Sequence, residues 1–188
     1  MESNEIKKII PFDDIWDNLN VLEERLLEIS SSSNDYLTSI SQYLINAGGK
    51  RFRPIVTSLA GKFGNEIENI GKIIDAGVCV ELIHIGSLYH DDVMDEAELR
   101  RTVPSVNALW GNLTAILAGD FLLARASEIA ASLGTEVAGL LAKTIGELCE
   151  GQILELQSTF KIDRSLDSYE RSISCLLYTS DAADEGFC

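Results

Sequence analysis

The chain has 188 residues, 46% of them hydrophobic, and 30 acidic against 15 basic side chains give it a formal charge of −15. That size suits one domain with a substantial core. The negative charge argues against nonspecific nucleic-acid binding and against an anionic membrane surface, both of which need basic patches. With 3 prolines and 14 glycines, collagen-like and proline-rich disordered classes are also excluded. The opening MESNEIKKII lacks the apolar core of a signal peptide. No stretch reaches the roughly 18–20 charge-free apolar residues of a membrane helix; LTAILAGDFLLA is interrupted by Asp120. Cys79, Cys149, Cys175 and Cys188 show no CxxC spacing, so neither a zinc site nor a disulfide framework is indicated. The expectation is a cytoplasmic protein with no nucleic acid and no membrane span.

In chain order the pattern reads as helices. Ile15, Leu19, Leu22, Leu26 and Ile29 recur at steps of three and four, and the Ser30–Ser33 run ends that helix. Asn34 is placed to cap a second helix carrying Leu37, Ile40, Tyr43 and Leu44, which Gly48-Gly49 stops. Pro54 suits the first turn of a third, running toward Phe63. From about Glu68 to Asp95 the chain is apolar almost all round, which predicts a long, centrally buried helix. The polar loop EAELRRT follows, and Pro104 is expected to open the next helical segment. Further helices are expected near 112–132, 136–160 and 166–173. Strand-like alternation is nowhere sustained, so the fold class is all-α.

Three clusters carry chemistry. The first is DDVMD, where Asp91 and Asp95 fall one turn apart on one face with Asp92 beside them. Carboxylates about 5 Å apart repel by roughly 3 kcal/mol per pair at an effective dielectric near 20. They also sit at a helix C-terminus, where the dipole disfavours negative charge. Such an arrangement calls for a cation, and hard oxygen ligands suit Mg²⁺; a solvated acidic helix end is the plainer alternative. The second is GGKRFRP, in which two glycines allow close backbone approach and Lys50, Arg51 and Arg53 precede a helix N-terminus. That combination suits a diphosphate, against a turn with solvated basic residues. The third is Arg100-Arg101, whose adjacent side chains diverge and so suit two different anions. His84 lies two turns before Asp91 on nearly the same face, a plausible phosphate donor beside a basic loop.

GGKRFRP, ELIHIGSLYHDDVMDEAELRRTVPSVNALWG, ILAGDFLLARA and EGQILELQ together resemble the trans-isoprenyl diphosphate synthases, or polyprenyl synthetases, over roughly residues 15–174. The resemblance implies an isoprenoid-synthase helical bundle. It implies a Mg²⁺-dependent condensation of isopentenyl diphosphate with an allylic diphosphate. In that family Asp91, Asp92 and Asp95 match the metal-holding motif, and Arg100 matches the allylic-diphosphate arginine. Lys50, Arg53, His84 and Arg101 match the isopentenyl diphosphate site, with Gly49 shaping its loop. Gly86 and Ser87, one turn before the first aspartate, are expected to leave room for a medium- or long-chain product. The parent enzyme is expected to be a homodimer or to work with a small subunit. A class I terpene cyclase and a non-catalytic subunit are the alternatives; GGKRFRP and Arg101 count against the first, the intact motifs against the second.

Residues 175–185 read CLLYTSDAADE and resemble the translation of a transposase adapter used in sequencing libraries. The expected organisation is a partial synthetase domain over residues 1–174 and a non-native tail over 175–188, leaving −12 on the native part. The family's second aspartate-rich motif would lie beyond Ser174, so the chain corresponds to the front half of a synthase and is expected to be inactive alone.

Overall fold

The computed structural model describes residues 7–159 and 161–177. These fall into two compact units, one up to Leu133 and one from Gly134.

The first unit opens with α1 (Asp13–Ile29), which buries Ile15, Leu22 and Leu26 at helical spacing and closes at Ser30, where the hydroxyl donates to Leu26 O at 2.7 Å. Asn34 caps α2 (Asp35–Ser41), its side-chain oxygen accepting from the amides of Tyr36 and Leu37 at 3.0 and 3.2 Å. The single helix expected here is two pieces. At Gln42 the chain breaks and resumes as α3 (Tyr43–Asn46), with the Gln42 side chain donating to Leu27 O of α1 at 2.8 Å. α4 (Phe52–Gly61) carries Pro54 in its first turn, where a missing amide costs nothing.

The central element is α5 (Glu66–Met94), 29 residues long. Val78, Cys79, Leu82, Ile83, Ile85, Leu88 and Tyr89 are all buried, so it is covered on several sides, as its continuous apolar pattern requires. Tyr89 ties it to α2, its hydroxyl donating to Ile40 O at 2.7 Å. Its back face packs on α7 (Asn112–Leu133). Cys79 lies against Ala126, Gly86 against Gly119 and His90 against Ile116, so the two helices run antiparallel. Ala115, Ala118, Ala126 and Ala130 line α7 as fully buried small residues that let the helices approach closely.

Gly86 belongs to that approach, which corrects the expectation that it opens a channel. A Cβ there would stand 3.1 Å from Gly119 O and 3.3 Å from Leu123 Cγ. The absent side chain is where α7 sits.

Between α5 and α7 lies a short hairpin, β1 (Leu99–Arg100) paired antiparallel with β2 (Val103–Pro104), followed by α6 (Val106–Trp110). Pro104 therefore ends a strand instead of opening a helix. Ser105 is the cap, its Oγ accepting from Ala108 N at 3.4 Å while donating to Ala97 O at 2.6 Å.

The second unit pairs α8 (Thr135–Ser158) with α9 (Leu166–Leu177). Arg164 donates to both oxygens of Glu155, at 3.2 and 2.9 Å, and Ser172 adds a third bond to the same carboxylate. Residues 178–188 of the expected non-native tail lie outside the described residues. Among the described residues the only strands are β1 and β2, and no helix is long and apolar enough to cross a membrane.

Candidate active site

One face of α5 collects the polar chemistry. At about 100° per residue, Glu81, His84, Asp91, Asp92 and Asp95 fall within an arc of roughly 100°. In the buried middle of that face Glu81 is 2% exposed and His84 7%. Toward the C-terminal end Asp91 is half-buried and Asp95 exposed. The two are one turn apart, with Asp95 N donating to Asp91 O at 2.8 Å. Asp92 does not stand beside them as an open carboxylate. The rotation of one residue turns it toward the hairpin, where it is 0% exposed and its Oδ1 accepts from Nε and Nη2 of Arg100 at 2.8 and 2.7 Å.

The hairpin aims the two arginines apart. Its two-residue turn, Arg101-Thr102, has both residues left-handed (φ 51° and 66°), a conformation that favours Asn-Gly. Holding two non-glycine residues there costs on the order of 1 kcal/mol each. The cost is offset by what the turn positions: Arg100 reaches back to Asp92, while Nη1 of Arg101 donates to Leu44 O at 3.2 Å and to Gly48 O. The loop below is pinned by Asn107, whose Nδ2 donates to Asp92 O and Ala97 O at 3.1 and 3.0 Å.

GGKRFRP supplies the facing segment. Gly48 needs its positive φ of 88°, and Gly49 needs its missing side chain, because a Cβ there would lie 2.9 Å from Arg51 Nη1 and 3.0 Å from Arg101 Nη1. Lys50 is exposed and Arg53, the second residue of α4, is half-buried. Arg51 differs from both. It is 5% exposed, left-handed (φ 50°, ψ 38°), and ion-paired with Glu23 and Glu81.

The electrostatics show which groups converge. Burial, then the charges of Arg53, Arg101, Arg100 and Arg51, push His84 down to about 3, so at neutral pH it is an uncharged imidazole among four guanidinium groups. Burial pushes the Glu81 carboxyl up, against the pull of Arg51, Arg101 and Arg53. Burial also opposes the Arg51 charge, yet its bonds to Glu23 and the charge of Glu81 hold its pKa above the ordinary value. The charges of Arg53, Arg101, Arg100 and Arg51 thus all bear on His84, Gly49 lies close to the Arg101 guanidinium, and Asp91 and Asp95 stand further along the same helix.

Glu81 and Glu23 escaped the sequence reading. The available signal was a carboxylate inside the apolar run GVCVELIHI, three residues before His84, where an unpaired charge would be costly.

Among the described residues no three His, Cys, Asp or Glu side chains are grouped to hold a metal ion. Mg²⁺ seldom uses such a cage; it takes one or two carboxylates and completes its shell with water and phosphate oxygens. Asp91 and Asp95 meet that requirement in donor chemistry.

A family model described as polyprenyl synthetase matches residues 34–175. Nonaprenyl diphosphate synthase of Mycobacterium tuberculosis is 45% identical over 147 residues, 78% of this chain and 44% of that protein. Heptaprenyl diphosphate synthase component 2 of Geobacillus stearothermophilus is 40% identical over 158 residues, 84% of this chain and 49% of that protein. The crystal structure of heptaprenyl diphosphate synthase from Staphylococcus aureus superposes with a TM-score of 0.81 at 31% identity, over 86% of this chain and 51% of that one. This chain spans about half the length of the curated relatives it matches. Its fold, its motifs and these similarities agree: the chain belongs to the polyprenyl synthetase family.

Proposed function

We propose that the whole-length protein condenses isopentenyl diphosphate with an allylic diphosphate, giving a medium- or long-chain polyprenyl diphosphate. The observation that carries this reading is the buried, uncharged His84 in the field of Arg51, Arg53, Arg100 and Arg101, on the same helix face as Asp91 and Asp95. Names of relatives such as nonaprenyl and heptaprenyl diphosphate synthase support the chain-length class.

Lys50, Arg53, Arg101 and His84 hold the isopentenyl diphosphate, and the bare Gly49 backbone lets it come close. Arg100 serves the allylic diphosphate, with Asp92 orienting its guanidinium. Asp91 and Asp95 hold Mg²⁺, which when bound supplies charge neutralisation for the departing diphosphate. The allylic C–O bond must break with its electron pair leaving on the diphosphate, the isopentenyl double bond must attack the allylic carbon, and the departed diphosphate takes up the one proton lost. For that sequence the side chains contribute position and fixed charge, and no covalent nucleophile is required.

A terpene cyclase needs one diphosphate site, so the second cationic cluster around Arg53 and Arg101 disfavours it. The similarity to a heptaprenyl diphosphate synthase component 2 supports assembly with a second component, and a homodimer is the alternative. We read residues 175–188 as non-native, on the resemblance of CLLYTSDAADE to the translation of a transposase adapter. The 188-residue chain alone is expected to turn over negligibly.

Calorimetric titration of isopentenyl diphosphate tests the site directly. The chain is expected to bind it, and Arg53→Gln to weaken binding about tenfold, the size of one lost charge-assisted contact. Absence of binding, or an unaffected Arg53→Gln, refutes the assignment.

A further inference from the structure

KRFR presents three cations within four residues, and composition gives no reason to separate their roles. The structure separates them. Nε and Nη2 of Arg51 fork onto Oε1 and Oε2 of Glu23 at 2.5 and 2.9 Å. Nη1 meets Oε1 of Glu81 at 3.1 Å, and Nη2 also donates to Ile45 O at 3.0 Å. The guanidinium thus spends four hydrogen bonds on two carboxylates and a carbonyl, with its side chain and Glu81 both almost fully buried. An incoming phosphate would have to displace Glu81 from a buried position and Glu23, 39% exposed, from its edge. The left-handed backbone at Arg51 turns this side chain inward from between exposed Lys50 and exposed Phe52. A Cβ on Gly49 would meet both Arg51 Nη1 and Arg101 Nη1, at 2.9 and 3.0 Å, so the two guanidinium groups close off the same side of this loop position.

We propose that the ion triad Glu23–Arg51–Glu81 is the positioning device of the diphosphate pocket, with Arg51 a strut that sets the Gly48–Arg53 loop and not an anion ligand. The proposal rests on the diphosphate reading above. Glu81 also supplies countercharge to Arg51, Arg101 and Arg53.

Simple electrostatics and positioning predict opposite signs. Removing an acid beside an anion pocket should tighten anion binding; removing a strut should weaken it. Inorganic pyrophosphate without metal is titrated into the full chain and into Glu23→Gln, Glu81→Gln and Arg51→Lys, each checked by circular dichroism. Each folded variant is expected to bind on the order of tenfold more weakly, the cost of a misplaced contact loop. Tighter or unchanged binding in folded Glu23→Gln or Glu81→Gln overturns the proposal. Arginine Nε–H resonances of the wild type give a reading that needs no variant to fold well. Pyrophosphate should shift those of Arg53 and Arg101 and leave Arg51 in place; an Arg51 shift as large as that of Arg53 overturns the proposal. A wild type that binds no pyrophosphate is a separate outcome, and it removes the diphosphate reading itself.

Discussion

Acidification from pH 7 to pH 5 is expected to cost the folded protein about 2 kcal/mol through His84 alone. Burial and four neighbouring guanidinium groups hold this imidazole at about 3, against an ordinary value of 6.5. Between those values the unfolded chain binds a proton that the folded chain refuses, so stability is fully present above pH 6.5 and falls as the pH drops toward 3. At pH 5 the gap is about 1.5 units, which at roughly 1.4 kcal/mol per unit gives the stated loss. Glu81 opposes it, because a carboxyl raised by burial takes up its proton more readily when folded. The quantity to measure is therefore a difference: urea unfolding of the wild type and of His84→Gln at pH 7, 6 and 5. The wild type should lose about 2 kcal/mol more than the variant across that range. Saturating pyrophosphate should shrink the gap, since an anion favours the imidazolium. Equal losses in both proteins refute the picture of a neutral histidine among converging arginines.

Two further outcomes follow from the geometry. In Gly86→Ala the new methyl would stand 3.1 Å from Gly119 O, so α5 and α7 must separate slightly. Overpacking of about 1–3 kcal/mol then meets a helix-propensity gain of about 1 kcal/mol. The net effect in a thermal melt should be a Tm a few degrees lower, at about 2–4 °C per kcal/mol; a higher Tm would mean that this position faces open space, as a product channel requires. Asp92→Asn leaves the Arg100 guanidinium, 17% exposed, facing a neutral group at a fully buried position. Chemical denaturation should register a loss of about 3 kcal/mol, and an unchanged midpoint would mean that the hairpin does not depend on the Asp92–Arg100 pair.

The helices were legible because each is written in local terms: an apolar stripe, the Asn34 cap, the Pro54 first turn, the unbroken greasy run of α5. The site was legible as residue types, since DDVMD, GGKRFRP and Arg100-Arg101 carry their charges in the sequence. What was not legible depends on long-range approach. Gly86 reads as empty space until Gly119 is placed opposite it, 33 positions away in the chain. Asp92 reads as a third metal-facing carboxylate until a hairpin turn with two left-handed residues brings Arg100 onto it. The hairpin itself left no alternation to detect, being only two residues per strand, and it took Pro104 away from the helix it was expected to start. Arg51 looks like its neighbours in KRFR, and only the distant Glu23 and Glu81 distinguish it.

The most direct test is a crystal structure of this chain grown with isopentenyl diphosphate and MgCl₂. The account predicts diphosphate oxygens within hydrogen-bond distance of Lys50, Arg53, Arg101 and His84, lying over the Gly49 backbone, with Arg51 still clasped by Glu23 and Glu81. A diphosphate bound away from that pocket, or one coordinated by Arg51 while His84 stays apart from it, would contradict the account.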